Sequence, residues 1–257
     1  MLFELSENES QILGYRIARG GLDSLQHINQ LKESLIENRI DILKLSVTDS
    51  PEDLYVLLDK LKIPYYVLGI VIEYKANFQK NKQIAYRNQS VEFVEYTGDD
   101  TMGFDQLITK IFAESPASYY LNPGLLPIYD KEKQLQCLTK YVKTLNKSKN
   151  GNYFTHLVYC KGELAGFITS YKEGTGGAAT YAGLLKEFQG RGLYIDLVSF
   201  IQNHGSSIGQ KWGTAYAQLQ NTVVQKTFQR QGLRPNGYVL NIHVNCFFGE
   251  LSKYSNH

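Results

Sequence analysis

The sequence predicts an α/β (α+β) fold: a mixed, mostly antiparallel sheet flanked by helices, preceded by a small α/β N-terminal domain. Three observations predict it. Helix-like and strand-like periodicities alternate from Gly14 to Tyr74. Three strand signals then crowd between Tyr153 and Leu185, and a tight Lys161-Gly162 turn makes the first two an antiparallel hairpin. Finally, a strand runs through a glycine-bearing turn directly into a helix at Leu193. A length of 257 residues suffices for one large domain or two small ones and buries a sizeable core.

Taken in order, Gly14 to Ala18 is a short alternating strand that Gly20-Gly21 breaks. Asp23 to Asn38 carries Leu25, Ile28, Leu31, Leu35 and Ile36 at helical spacing, with Asp23 or Ser24 as its cap. Ile40 to Val47 alternates at period two, as a half-buried strand does. Asp49-Ser50-Pro51-Glu52 combines a capping side chain, a first-turn Pro and acidic residues. The helix it starts carries Leu54, Leu57, Leu58 and Leu61 and stops before Pro64, and Tyr65 to Tyr74 is again strand-like. These elements form a small β-α-β-α-β unit, assigned to residues 1–85. Lys75 to Ser90 holds Lys75, Lys80, Lys82 and Arg87 among Asn and Gln and reads as a linker; a basic phosphate-binding segment is the alternative.

The second domain, residues 90–257, opens with a strand at Val91 to Tyr96 and a helix near Phe104 to Phe112. Ser115 to Tyr129 is rich in Pro, Tyr and Asn and reads as an irregular loop. Lys131 to Lys147 is amphipathic, with Leu135, Leu138, Tyr141, Val142 and Leu145 on one face. Strands follow at Tyr153 to Cys160, Glu163 to Tyr171 and Ala178 to Leu185. Gly174-Thr175-Gly176-Gly177 resembles a phosphate loop, but no strand-to-helix junction surrounds it, so a flexible hairpin turn is expected. The helix from Leu193 carries Leu197, Phe200, Ile201 and Ile208. After it come a strand from Trp212 to Leu219, Gln220-Asn221, a helix to Gln231, and a last strand with Tyr238, Leu240, Ile242 and Val244.

Composition excludes several classes. Lys plus Arg is 27 and Asp plus Glu is 25, a net +2 that gives no support for a nucleic-acid binder with a broad basic face. No window approaches about 18 consecutive apolar residues, so no membrane span is expected. The opening MLFELSENES is acidic and lacks the pattern of a secretion signal, so a cytoplasmic location is the expectation. Cys137, Cys160 and Cys246 are few and far apart, suggesting neither a disulfide framework nor a metal site. The 19 Tyr beside a single Trp stand out, and composition alone assigns them no role.

Leu184-Leu185-Lys186-Glu187-Phe188-Gln189-Gly190-Arg191-Gly192-Leu193-Tyr194 is the informative segment. A strand end feeding a glycine-bearing helix start is an anion site: backbone N–H groups point outward and the helix dipole adds partial positive charge. With Asn221 and Gly232-Leu233 following at their separation, this order resembles the GNAT family of acyl-CoA N-acyltransferases over about residues 91 to 247. The family's Q/R-x-x-G-x-G/A motif is matched by Gln189 and Gly192, with Tyr194 as a departure. The resemblance implies acetyl-CoA as cofactor. The CoA pyrophosphate would lie on the amides of Gln189, Gly190, Arg191, Gly192, Leu193 and Tyr194. The pantetheine would lie between strands near Leu184-Leu185 and Tyr216 to Leu219, with Asn221 bonding to it. Lys186, Arg191, Lys226 and Arg230 are sequence neighbours that could neutralise phosphate, Arg191 first; each is equally readable as surface charge.

Acyl transfer to an amine needs a base, a donor to the thioester oxygen and an acid for the leaving thiolate. The resemblance implies Leu185 N–H as the oxygen donor. The family's usual acid, a Tyr seven residues after the Asn, is Phe228 here, which cannot donate a proton. Tyr238, His243, Tyr216 and Tyr194 are the replacement candidates, each also readable as packing. His243 is preferred as base because an ordinary imidazole titrates near neutrality. His27, His156, His204 and His257 have no supporting context.

The architecture, with its N-terminal unit and Tyr119-Tyr120 loop, further resembles TDP-fucosamine (amino-sugar) N-acetyltransferases. The expected function is therefore acetyl transfer from acetyl-CoA to a small-molecule amine, a nucleotide-linked amino sugar being the best match. A non-catalytic acyl-CoA-binding or regulatory module, and transfer to an amino acid or peptide amine, are the alternatives. The sequence is compatible with a homodimer and does not establish one.

Overall fold

The computed structural model describes residues 3–22, 28–48, 55–56, 59–60, 65–78, 83–98, 103–114, 130–146 and 151–245. The caps expected at Asp23 or Ser24 and at Asp49 to Glu52, the helix positions Leu54, Leu57, Leu58 and Leu61, and the Tyr-rich loop of residues 115–129 lie outside them.

Contacts divide the described residues into two units. The first draws on residues up to Val71, on 130–133 at the start of one helix, and on those from Gly237 onward, the second on Ile72 to Glu114 and Gln134 to Asn236. The division falls after Val71, not at the linker expected between 75 and 90.

The first unit contains β1 (Glu4–Leu5), α1 (Glu7–Leu13), β2 (Ile17–Leu22), α2 (Ile28–Glu37) and β3 (Ile42–Val47). It also takes residues of β4 (Tyr65–Asn77) and of the last strand, β10 (Arg234–Asn245). Its strand order is β1-β2-β3-β10-β4. β2 runs parallel to β3 straight through Gly20-Gly21, which pair with Leu45 and Ser46 rather than breaking the strand. β10 is antiparallel to β3, with His243 opposite Lys44. Leu31, Leu35, Leu43, Leu45, Leu240 and Ile242 form the core. α1, not anticipated from its acidic sequence, brings Glu9 to Arg19 at 2.8 Å and Lys44 at 2.7 Å.

The second unit adds β5 (Val91–Glu95), α3 (Phe104–Glu114), α4 (Lys131–Asn146), β6 (Tyr153–Cys160), β7 (Glu163–Glu173) and β8 (Gly176–Leu184). It continues with α5 (Leu193–Ser207), β9 (Trp212–Gln218) and α6 (Thr222–Arg230). Strand order is β4-β9-β8-β7-β6-β5, antiparallel from β5 to β8 and parallel between β8 and β9. Helices cover both faces. Phe167 on β7 meets Phe104 and Phe112 of α3 edge-on, whereas His156 on β6 and Phe93 on β5 meet Phe200 of α5.

β4 explains the displaced boundary. Tyr74, Ala76 and Phe78 pack against Ala215, Ala217 and Phe228, while Lys75 and Asn77 between them are exposed. This is the period-two pattern of a strand, not a linker. The hairpin glycines also differ from expectation. The β7–β8 turn is Gly174-Thr175 alone, and Gly176 and Gly177 belong to β8. A Cβ on Gly177 would meet Tyr171 O at 2.2 Å, and one on Gly176 would meet the Trp212 ring at 2.2 Å. Both glycines serve close packing. Among the described residues, no helix is long and apolar enough to cross a membrane.

Candidate active site

β8 and β9 share one register pair, Ala178 with Thr214. A cavity is lined by β8 residues Ala179 to Ala182 and β9 residues Gly213 to Tyr216, with Tyr194, Leu197 and Val198 of α5 and Phe228 of α6. A bulge shapes one wall. Ser170 pairs with Ala179 and Thr169 with Tyr181, so Thr180 has no register partner in β7 and lines the cavity.

A single 3-10 turn (Lys186–Phe188) and Gln189 to Gly192 lead from β8 into α5. The Gln189 amide closes this turn by donating to Leu184 O at 3.0 Å. Gly192 caps the helix in the left-handed region, φ 81°, which side chains other than glycine rarely adopt. The N–H groups before Ile195 precede the first helical hydrogen bond, Ile195 N–H to Gly192 O at 3.0 Å. The Arg191 guanidinium lies over the Phe188 ring. A second cation comes from the supposed linker: the Arg87 side chain passes 3.2 to 3.5 Å from where a Gly192 Cβ would stand. It is held there by Asp196, fully buried on the first turn of α5, which accepts the Arg87 N–H at 2.5 Å.

The other anticipated residues are placed as follows. Leu184 and Leu185 are buried, and Leu185 N–H already donates to Ala165 O at 2.9 Å, so it is not available to a thioester oxygen. Asn221 caps α6 by accepting from Val224 N–H at 3.3 Å. Phe228 is 4% exposed and meets Tyr74 edge-on. Tyr194 and Tyr216 line the cavity. The Tyr216 hydroxyl donates to Glu73 at 2.8 Å, and burial with this hydrogen bond pushes its pKa up to about 12. Tyr238 and His243 fall in the first unit and do not line the cavity. Tyr238 is 42% exposed. His243 is 4% exposed, and burial with the nearby Lys44 charge lowers its pKa to about 3. The reason for preferring it as base, an ordinary imidazole pKa, therefore does not hold.

Glu73 and Thr180 were not anticipated at the site, and Arg87 entered only through the alternative reading of residues 75–90 as a basic phosphate-binding segment. Glu73 was read as part of the N-terminal domain, and the signal that could have found it is the continuing alternation of Glu73-Tyr74-Lys75-Ala76-Asn77-Phe78. Among the described residues, no three His, Cys, Asp or Glu side chains gather as a metal site.

No protein-family model matches the chain, and no curated protein matches it by sequence. Solved structures do match. A functionally unknown conserved protein from Staphylococcus epidermidis superposes with a TM-score of 0.59 at 15% identity, covering 92% of this chain and 88% of that one. GCN5-related N-acetyltransferases from Sphaerobacter thermophilus and Kribbella flavida follow. The first gives a TM-score of 0.60 at 11% identity, covering 89% of this chain and 73% of that one. The second gives 0.59 at 8%, covering 93% and 84%. The parted strands, the glycine-capped helix start and these superpositions agree: the chain has the fold of the GCN5-related N-acetyltransferases.

Proposed function

We propose that this protein transfers an acyl group, an acetyl group in the simplest case, from acyl-CoA to a small amine. The carrying observation is the largely apolar cavity between β8 and β9, lined both by Tyr194 at the start of α5 and by Tyr216. When bound, acyl-CoA supplies an acyl group activated as a thioester. The cavity fits its slender pantetheine arm. The N–H groups of Gly190 to Leu193 and the α5 dipole fit its phosphates, with Arg87 and Arg191 as neutralising cations. Thr180, left out of the ladder by the bulge, offers its backbone N–H to the carbonyl oxygen in place of Leu185. Tyr216 stays protonated at neutral pH and serves as proton donor to the departing sulfur. Within the amine class, a nucleotide-linked amino sugar is the acceptor we favour from sequence.

Calorimetric titration with CoA and acetyl-CoA tests the reading, followed by thiol release over a panel of amines. At a hundredfold excess over Kd, CoA should stabilise the fold by about 2.7 kcal/mol. Gly192→Trp, confirmed folded by its melt, should lose CoA binding; intact binding would place the phosphates elsewhere. CoA binding without thiol release on any amine would support a second reading, a CoA-binding module without transfer. Phe228 in place of a hydroxyl and the engaged Leu185 N–H favour that alternative.

A further inference from the structure

Resting on the acyl-transfer reading above, we infer that the acceptor is a primary amine captured as its ammonium ion by the carboxylate of Glu73, beside Tyr216, Tyr171 and Tyr153. Glu73 sits half-buried on β4. Its oxygens accept from two neutral donors, the Tyr216 hydroxyl at 2.8 Å and the Asn236 side-chain amide. Among the described residues no Lys or Arg pairs with it. Lys75, two residues along the same strand, lies instead over the Trp212 ring, 4.5 Å from its centre. A carboxylate has about four lone-pair sites, so two remain to accept from a ligand. Fixed by neutral donors and partly shielded from water, Glu73 has the chemistry of a cation receptor.

The surroundings suit an ammonium group. Register pairs run across the sheet from Tyr153 to Tyr171, Ala178 and Thr214, which puts these side chains on one face. Tyr216 stands two residues beyond Thr214 and shares that face. The Tyr153 and Tyr171 rings lie 5.6 Å apart, and Ala178 beside them contributes only a methyl group. Burial raises the pKa of Tyr171 and Tyr216, and the charge of Glu73 raises both further, so the phenols are neutral at physiological pH and close enough to feel the carboxylate. Neutral aromatic faces attract ammonium ions, and the whole arrangement disfavours an anion.

Tyr216 belongs to this cluster and to the cavity lining, so the two substrates meet there. A Glu73 oxygen takes one proton from the ammonium: an N–H bond breaks, an O–H bond forms, and the nitrogen keeps its lone pair. The nitrogen bonds to the acyl carbon as the C–S bond breaks. As Tyr216 delivers its hydroxyl proton to the sulfur, the second proton of the nitrogen passes to the Tyr216 oxygen and restores the phenol. Neutralising Glu73 removes the charge that held the Tyr216 proton, which favours this relay. The products are an amide, a thiol and one proton that Glu73 returns to solvent.

The test is titration of the full chain, with and without CoA, by n-propylamine and by its neutral isostere n-propanol, following the Tyr171 and Tyr216 ring resonances. Propylamine should bind saturably and propanol should not. Glu73→Gln should weaken propylamine about tenfold while leaving CoA affinity unchanged. Equal binding of propanol by the wild-type protein would overturn the inference whether or not the variant folds. So would unchanged propylamine affinity in folded Glu73→Gln. Failure of CoA to bind would instead sink the acyl-transfer reading, and the propylamine result would still decide whether Glu73 is an ammonium site.

Discussion

The buried Asp196 carboxylate accepts the backbone N–H of Arg87 at 2.5 Å. It also accepts from the backbone and side-chain amides of Asn88. One helix turn thus fixes a segment 109 residues earlier in the chain. Two turns along α5, Asn203 repeats the device, exchanging hydrogen bonds with Ile84 N–H and O at 2.8 Å each. Asp196→Ala would leave three part-buried donors without their acceptor, each with some access to water and so at the low end of the about 1–3 kcal/mol that a stranded donor costs. We expect a total loss of about 2–4 kcal/mol by urea denaturation and faster amide exchange at Arg87 and Asn88. Asp196→Asn, which keeps one acceptor, should lose less.

That segment shows what could be read from the sequence and what could not. The turn from Leu184 to Tyr194 was legible because glycines and a helix start are local signals, and α5, β9 and α6 followed in the expected order. Phe228, which the sequence singled out, lines the cavity. Residues 75–78 and 83–90 were misread as a linker because their charges dominate a short window. Their order comes from distant partners, namely Asp196, Asn203 and the stack of Phe93 on Phe200, beside which Tyr86 packs. Tertiary contacts of that kind leave no periodicity. The alternation through Glu73 and Phe78 was present in the sequence, but Lys75 and Asn77 on its outer face disguised it. His243 failed for an electrostatic reason: burial beside Lys44 is invisible in a residue's identity.

Gly177→Ala tests the close packing at the start of β8. The new methyl would press on Tyr171 O and the Gln210 amide, both inside 2.3 Å. Backbone cannot yield cheaply there, and overpacking costs about 1–3 kcal/mol. The pair Ala178–Thr214, next along the strand, is the single register link between β8 and β9. The variant should therefore melt earlier and also lose CoA affinity. Gly174→Ala, in the turn, meets nothing within 4 Å and should pay only its backbone strain, with CoA affinity retained.

Acid should destabilise the first unit in two steps. Burial, with the Lys44 charge, lowers His243 from 6.5 to about 3. Burial by itself would raise Glu9, but Lys44 and Arg19 outweigh it and lower its pKa from 4.5 to about 2. Both groups titrate lower in the folded state than in the unfolded one. Stability is therefore full above about pH 6.5, falls through His243 from 6.5 toward 3, and falls further through Glu9 from 4.5 toward 2. Each such group contributes a slope of up to about 1.4 kcal/mol per pH unit. In the second unit, His156 on β6 is lowered to about 4 by burial and by His204, so that unit too loses stability as pH falls from 6.5 toward 4. Urea denaturation from pH 8 to pH 4 should show this decline, and His243→Gln should remove one proton's share of it. A slope unchanged in that variant would show that His243 is not buried neutral.

Tyr216→Phe separates proton donation from binding. The substitution keeps the ring against the cavity and deletes the hydroxyl that donates to Glu73. Affinity for CoA should be unchanged, because the hydroxyl takes no part in holding the phosphates. Thiol release on the responsive amine should drop by about 10² or more in kcat, the typical loss when a positioned acid is removed. A fall in KM alone, or no change in kcat, would assign proton delivery to another group. The hydroxyl's own titration gives a second readout. In the wild-type protein it should ionise near pH 12, burial being the larger cause and Glu73 the next. In Glu73→Gln the carboxylate's charge is gone while burial and the neighbours Thr214 and Tyr171 remain, so its ionisation should move downward. Ultraviolet difference titration of the two proteins, with Tyr216→Phe as the blank, reads that shift directly.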